Sequence, residues 1–254
     1  MRILLTNDDG INARGLAALA AEIEKIADVT IVAPDTEMSA VGHAITINDP
    51  LQIKKVKKND SLFGYAVSGT PADCIKIAYW ALLRDQPKPD LLISGINQGA
   101  NTGINTIYSG TVSAATEGAI LGIPAFAISL ASYTDQDFST AAAFARTLAT
   151  QLRENTLPAG IYLNVNVPPV PKSEIQGIAI TRQGRANWID DYSVFESPQR
   201  RRYYWLTGTR EEIEDDENVD DHAIEHNKIS ITPVHFDLTY YPFLDKLKNW
   251  KIDF

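Results

Sequence analysis

Apolar residues fall in short runs along the first two thirds of the chain, and the segments between those runs carry apolar positions at helical spacing. Residues 2–6, Arg-Ile-Leu-Leu-Thr, stop at Asn7-Asp8-Asp9-Gly10, and the next stretch, Ala13 to Ala27, places Leu16, Leu19, Ile23 and Ile26 on one helical stripe. A second run, Val29 to Ala33, ends at Pro34. Strand, turn, helix and strand in this order form the unit from which parallel sheets are built. The same rhythm predicts a helix over 70–83 opening at Thr70-Pro71, a buried strand over 91–93 and a helix over 111–121. A strand over 125–130, a helix over 140–153 and a strand over 162–167 follow. The expected fold is α/β: a doubly wound, mostly parallel sheet, Rossmann-like and three-layered.

Past Val167 the prolines Pro168, Pro169 and Pro171 break the rhythm, and residues 183–206 mix aromatic, basic and polar side chains as an antiparallel β excursion would. Glu211 to Asp221 carries eight carboxylates in eleven positions, which reads as an exposed acidic loop because like charges repel and solvate. Residues 228–233 return as a strand, and 240–250 form an aromatic-rich, helical tail suited to packing on a partner subunit. Two parts are expected: an α/β catalytic core over 1–180, and a second part over 181–254 holding the excursion, the returning strand and a C-terminal oligomerisation segment.

Composition sharpens this picture at a few points. The 254 residues are 44% hydrophobic and 22% charged, ordinary globular usage and enough for one large core. The net charge of −9 argues against a nucleic-acid surface and sets a repulsive field for any phosphate ligand, unless a cation or local donors offset it. The basic run Arg200 to Arg202 reads as a solvated strand or a subunit contact. A single cysteine, Cys74, excludes an internal disulfide and lies in an apolar stretch as a buried, inert thiol would. No apolar stretch reaches the roughly 18 residues of a membrane span, and the opening residues are strand-like without the features of an export signal, so a cytoplasmic location is expected.

Four segments could carry chemistry. Asn7-Asp8-Asp9-Gly10 follows the first strand, where open parallel sheets bind ligands; its carboxylates suit a cation, a water or a hydroxyl, or else cap the next helix. Ser94 to Gly103 follows the 91–93 strand and is too polar and glycine-rich for core, with Asn97 offering a hard carbonyl oxygen. It lacks the Gly-Lys-Ser/Thr of a phosphate-binding P-loop, and its glycines do not make a dinucleotide fingerprint. Ser109-Gly110-Thr111 opens a helix and serves either as a phosphate seat or as a plain cap. Met38 to His43 follows the second strand and could deliver Ser39 to the same edge, with His43 open to a packing role or an acid-base one. All four lie at the C-terminal ends of parallel strands, so they can share one crevice. No Cys/His cluster suggests zinc; the oxygen donors point to Mg²⁺ or Mn²⁺.

These residues give the chain a close resemblance to the SurE family, the stationary-phase survival proteins that act as 5′/3′-nucleotidases. The similarity covers Ile3 to Gly15, the Ser39 loop, Val67 to Cys74, Pro89 to Ala115, Leu163 to Pro168 and Ile229 to Pro233. It implies one divalent metal ion per subunit, Mg²⁺ or Mn²⁺, held by Asp8, Asp9, Ser39 and Asn97. It further implies substrate phosphate contacted by Ser109, Gly110 and Thr111, and a homodimer or homotetramer assembled through the C-terminal part. One departure lies in Asp35-Thr36-Glu37-Met38-Ser39, where some relatives carry basic residues, which leaves substrate preference open.

The activity so implied is metal-dependent hydrolysis of nucleoside 5′-monophosphates, with 3′-monophosphates as a second class, to nucleoside and phosphate. A metal-activated water would attack phosphorus in line, Asp8 or Asp9 orienting it, while Asn97 and the 109–111 helix start stabilise the equatorial oxygens. An aspartyl-phosphate route stays open as an alternative. The rival class is a non-hydrolytic nucleotide-binding module, which would not need adjacent Asp8 and Asp9. A nicotinamide-dependent oxidoreductase is weaker, lacking the Gly-x-Gly-x-x-Gly turn with its acidic partner. No nucleic-acid duplex and no membrane is expected as a partner.

Overall fold

A computed structural model describes residues 1–134, 136–186, 188–211 and 213–252. In chain order its elements are β1 (Arg2–Thr6), α1 (Arg14–Ile23), β2 (Asp28–Pro34), β3 (Ile53–Lys58), β4 (Ser61–Val67), α2 (Pro71–Ile77), β5 (Leu91–Gln98), α3 (Asn105–Tyr108) and α4 (Gly110–Ile120). Then come β6 (Ala125–Leu130), α5 (Ser139–Leu152), β7 (Ile161–Val167), β8 (Ile178–Ile180), β9 (Trp188–Glu196), β10 (Arg202–Arg210), α6 (Asp220–Glu225), β11 (Ile229–His235) and α7 (Tyr241–Lys248).

The main sheet has nine strands in the order β3-β4-β2-β1-β5-β6-β7-β11-β8. The strands from β4 to β7 in that order all run parallel. Counting those parallel strands alone along the chain, the spatial order is 3-2-1-4-5-6, the doubly wound arrangement whose ligand crevice opens where the winding reverses. Here the reversal falls between β1 and β5. The central strands are buried at almost every position, with successive side chains pointing to opposite faces, as a sheet covered on both faces requires. Ile3 and Leu5 pack with Leu16, Leu19 and Ile23 of α1 and with the alanines of α5; Leu4 faces Cys74 and Ile75 of α2 and Val112, Ala115 and Ala119 of α4. The result is the expected α/β sandwich of three layers, and Cys74 is buried in it, its thiol pushed well up by burial.

Several elements differ from the sequence expectation, each for a local reason. The α1 helix stops at Ile23, four residues early. The 70–83 helix is α2 followed by a π-helical turn over Ala78–Leu82; Thr70 and Asp73 close a capping box at its start, with Pro71 beside it. The strand expected over 91–93 runs on to Gln98, because Ser94 and Ile96 are buried and pairing with β6 resumes at Asn97 after a register shift. Residues 53–67 hold a hairpin, β3 antiparallel to β4, that went unread. Lysines at 54, 55, 57 and 58 mask its alternation, a composition typical of an exposed edge strand.

The excursion is the separate two-stranded ribbon β9-β10, antiparallel over its full length. The boundary expected near residue 180 divides residues that share one sheet, since β11 pairs with both β7 and β8. The acidic run 211–221 is not wholly solvated: Asp220 and Asp221 are buried. The apolar Val219 just before them is fully buried and draws them inward, where Asp220 accepts the backbone N–H groups of Gly103, Gly184 and Asp221. Among the described residues no helix is long and apolar enough to cross a membrane.

Candidate functional site

At the reversal of winding the chain leaves β1 into Asn7-Asp8-Asp9. The Asp8 side chain is only 3% exposed, and both its oxygens accept from Thr111: Oδ2 from the backbone N–H at 3.1 Å and Oδ1 from the hydroxyl. A carboxylate therefore sits on the N-terminal turn of α4, where free N–H groups and the helix dipole favour negative charge. Gly110 makes the approach possible, since a Cβ there would lie 2.8 Å from Asp8 Cβ and 2.9 Å from its Oδ2. Burial nevertheless holds the Asp8 carboxyl above its ordinary range, against the pull of Thr111.

Asp9 is less enclosed. Burial first, then the neighbouring Asp8 and Glu37 charges, push its carboxyl up to about 7, although the Gln98 backbone N–H donates to it. Three carboxylates thus converge on the ends of β1 and β2. The Met38 N–H donates to the Asp8 carbonyl at 2.8 Å, which brings the 35–39 loop over the end of β1. Ser39 is exposed, and its hydroxyl donates to Glu37 Oε1 at 2.7 Å. From the other side, β5 delivers Asn97, whose Nδ2 donates to the Gly99 carbonyl at 2.7 Å and so leaves Oδ1 as its unengaged acceptor.

The loop carrying Ser39 is tethered further along. Gly42 N–H donates to Tyr108 O, the Thr46 backbone and hydroxyl both donate to Asp73, and His43 Nε2 lies 3.0 Å from Glu117 Oε2. Glu117 is the one charged residue in α4, 2% exposed, and its other oxygen accepts from Lys76 Nζ at 2.7 Å. Burial alone would raise its carboxyl, but His43 and Lys76 hold it below its ordinary range. His43 is therefore anchored on the outer face of α4. We expect Glu117→Gln to destabilise the fold by about 1–3 kcal/mol, since it leaves charged partners imperfectly matched. A thermal melt checks this, and an unchanged midpoint would contradict it.

A second polar cluster braces the 99–103 segment. The Asn101 carbonyl accepts from Asn164 Nδ2, its N–H donates to Asn166 Oδ1, and its own amide donates to Ser129. Asp220 holds the next turn through Gly103 N–H, and burial, with Asp221 beside it, pushes its carboxyl up to about 6. Asp220 went unread in the sequence. Its signal was there, in the Val219 that interrupts the acidic run and the Ala223 and Ile224 that follow.

Of the residues singled out in the sequence, Asp8 and Thr111 are in direct contact, Asp9 meets β5 at the Gln98 N–H beside Asn97, and the loop that carries Ser39 is held at the end of β1 by the Met38 N–H on the Asp8 carbonyl. Ser109 is buried and caps α4, accepting the Val112 N–H at 3.1 Å. Two further residues, Glu37 and Arg14, border the same place without having been read from the sequence. They line a cleft of about 410 Å³ with Asp9, Gln98, Gln136 and Phe138. Among the described residues no group of three or more His, Cys, Asp or Glu is arranged to hold a metal. The donor set at the reversal is of a different kind: two carboxylates, an amide oxygen and a hydroxyl, all hard oxygens that suit Mg²⁺ or Mn²⁺ and not a soft metal.

Fold and site together define a doubly wound α/β protein with an acidic, all-oxygen crevice at the switch point of its sheet. Residues 3–190 match the family model described as survival protein SurE. The 5′-nucleotidase SurE of Syntrophus aciditrophicus is 53% identical over 98% of this chain and 93% of its own length. That of Syntrophobacter fumaroxidans is 48% identical over 99% of this chain and the whole of the relative. The crystal structure of the SurE protein from Aquifex aeolicus superposes with a TM-score of 0.86 at 37% identity, covering 98% of each chain. The chain belongs to the SurE family.

Proposed function

We propose that this protein is a 5′-nucleotidase that hydrolyses nucleoside 5′-monophosphates, and 3′-monophosphates as a second class, with one Mg²⁺ or Mn²⁺ per subunit. The observation that carries this reading is the convergence of Asp8 and Asp9 from β1 with Asn97 from β5 at the switch point, in a chain 53% identical to a relative named as a 5′-nucleotidase. Asp8, Asp9, Ser39 and the Oδ1 of Asn97 would hold the cation, which offsets the crowding of carboxylates there. When bound, such an ion lowers the pKa of a water and offsets charge on phosphoryl oxygens.

The chain's own groups do the rest. Asp9, the more exposed of the pair, orients the attacking water and takes its proton at a carboxylate oxygen, while the water oxygen bonds to phosphorus and the ester oxygen leaves in line. The leaving oxygen takes up a proton, giving nucleoside and inorganic phosphate. Ser109 accepts from Val112 and keeps its own proton to donate to the phosphate, beside the Gly110 N–H. Thr111 acts through Asp8, which it fixes with both donors. That double clamp favours water over Asp8 as the attacking group. Exposed Tyr203, Tyr204, Trp205 and Leu206 on β10, with Tyr240, Tyr241 and Trp250 near the C-terminus, are the apolar surface a homodimer or homotetramer would cover. A cytoplasmic location belongs to the same reading.

Phosphate release from nucleoside monophosphates, assayed from pH 6 to 8 with Mg²⁺, with Mn²⁺ and with chelator, tests this. Release should require metal. Because the cation-free Asp9 keeps its proton below about 7, metal must displace that proton at lower pH. The metal concentration for half-maximal rate should then rise by up to about tenfold per pH unit below 7 and level off above it. Nucleotide binding without turnover under every metal condition would instead identify a binding module.

A further inference from the structure

Among the described residues the cleft beside Asp9 is lined by one cation, and the reaction described above does not use it. Arg14, the first residue of α1, lines this space of about 410 Å³ together with Asp9, Glu37, Gln98, Gln136 and Phe138. Two carboxylates border the cleft, yet among the described residues none forms an ion pair with Arg14. Its Nη1 donates instead to the neutral Gln136 Oε1 at 2.7 Å. A neutral partner fixes the guanidinium without neutralising it. Among the described residues one of the five N–H donors in that planar group is engaged, which leaves an edge with two parallel donors. Gln98, next to the metal-site residue Asn97, is held in a similar way, its Nε2 donating to Tyr133 O at 2.7 Å. The wall opposite α1 is thereby tied to both α1 and β5.

The volume falls within the range of small-ligand sites and exceeds what a phosphate requires. With the reacting phosphate at the Asp9 end, the cleft leaves room next to it for the base of a nucleoside. We propose that this cleft is the base-recognition subsite and that Arg14 reads a pair of acceptors on the base, the O6 and N7 of guanine or hypoxanthine. A guanidinium fork matches that pair in bidentate fashion, whereas adenine presents a donor beside its N7 and pyrimidines have no N7 at all. Gln136 is a positioning residue that aims the fork. This inference rests on the nucleotidase reading and gives it a substrate preference.

The test compares kcat/KM for GMP, IMP, AMP and UMP in wild type, Arg14→Ala, Arg14→Lys and Gln136→Ala, with p-nitrophenyl phosphate as a substrate that has no base. Calorimetric binding of GMP and UMP in the presence of Mg²⁺ is measured alongside. Wild type should prefer GMP and IMP over UMP by about 5- to 150-fold. The GMP/UMP ratio should collapse towards one in Arg14→Ala and in Arg14→Lys, which keeps the charge but loses the fork, through a rise in KM for GMP. A ratio that survives in Arg14→Ala, or a wild type with no preference, overturns the subsite. Should wild type turn over no substrate, p-nitrophenyl phosphate included, the nucleotidase reading fails by itself. Calorimetry then decides the subsite: GMP bound more tightly than UMP, with the difference lost in Arg14→Ala, supports it, and equal binding overturns it.

Discussion

Asp8→Asn is expected to reduce phosphate release by at least about 10²- to 10³-fold, the scale seen when one preorganised charge-bearing group is removed from a transition state. The same change should also weaken the fold. Both Asp8 oxygens accept from Thr111, so an amide in that place must donate to the Thr111 hydroxyl, which then has to reverse from donor to acceptor and loses the partner of its own proton. That costs about 1–3 kcal/mol. Asp9→Asn provides the contrast. It should lose activity to a similar degree, yet the cation-free protein should be no less stable than wild type at pH 8, because burial and the Asp8 charge already disfavour the ionised Asp9 carboxyl. Phosphate release and thermal melts of the two variants, in chelator and in Mn²⁺, check both halves. Full activity in Asp8→Asn would remove the carboxylate pair from the mechanism.

Gly15→Ala should be strongly destabilising. A Cβ at residue 15 would lie 2.0 Å from the Ile96 carbonyl oxygen and 3.3 Å from the Phe138 ring. The first contact is backbone against backbone, and no rotamer change relieves it. To admit the methyl, α1 must move away from β5 at the place where these two elements border the Asp9 cleft. Overpacking of this kind costs about 1–3 kcal/mol or more, and in a chain of this size about 3 kcal/mol lowers Tm by roughly 6–12 °C. Activity should fall as well, since the displacement reaches Gln98 and Asp9. A melt within a degree of wild type would show that the helix slides without resistance.

The layering of the fold was legible because its signals are local. The unbroken apolar run Ile3-Leu4-Leu5 and the helical stripe of Leu16, Leu19 and Ile23 are properties of a few adjacent residues, and each appears in the core as read. The candidate site was legible to the extent that it sits at strand ends: Asp8, Asp9 and Asn97 are placed there by chain order alone. What escaped depends on contacts between distant segments. Thr111 and Asp8 are 103 residues apart, and nothing near either one says whether the helix start receives a phosphate or a carboxylate. Glu117 was not singled out in the sequence, because its partners His43 and Lys76 come from two other segments. Asp220, hidden in a run of solvated acids, holds a glycine turn 117 residues away. The β3-β4 hairpin escaped for the opposite reason, because an edge strand keeps its lysines in water and so lacks the apolar alternation that marks a covered one.

The proposed activity needs a hard divalent cation among Asp8, Asp9, Ser39 and Asn97. Crystals grown with Mn²⁺ and measured for anomalous scattering would test it directly. One strong peak per subunit is expected, bordered by carboxylate oxygens of Asp8 and Asp9 and by Asn97 Oδ1, and absent from crystals of Asp9→Asn. No peak at the switch point, or a peak only at the buried Asp220 and Asp221, would contradict it.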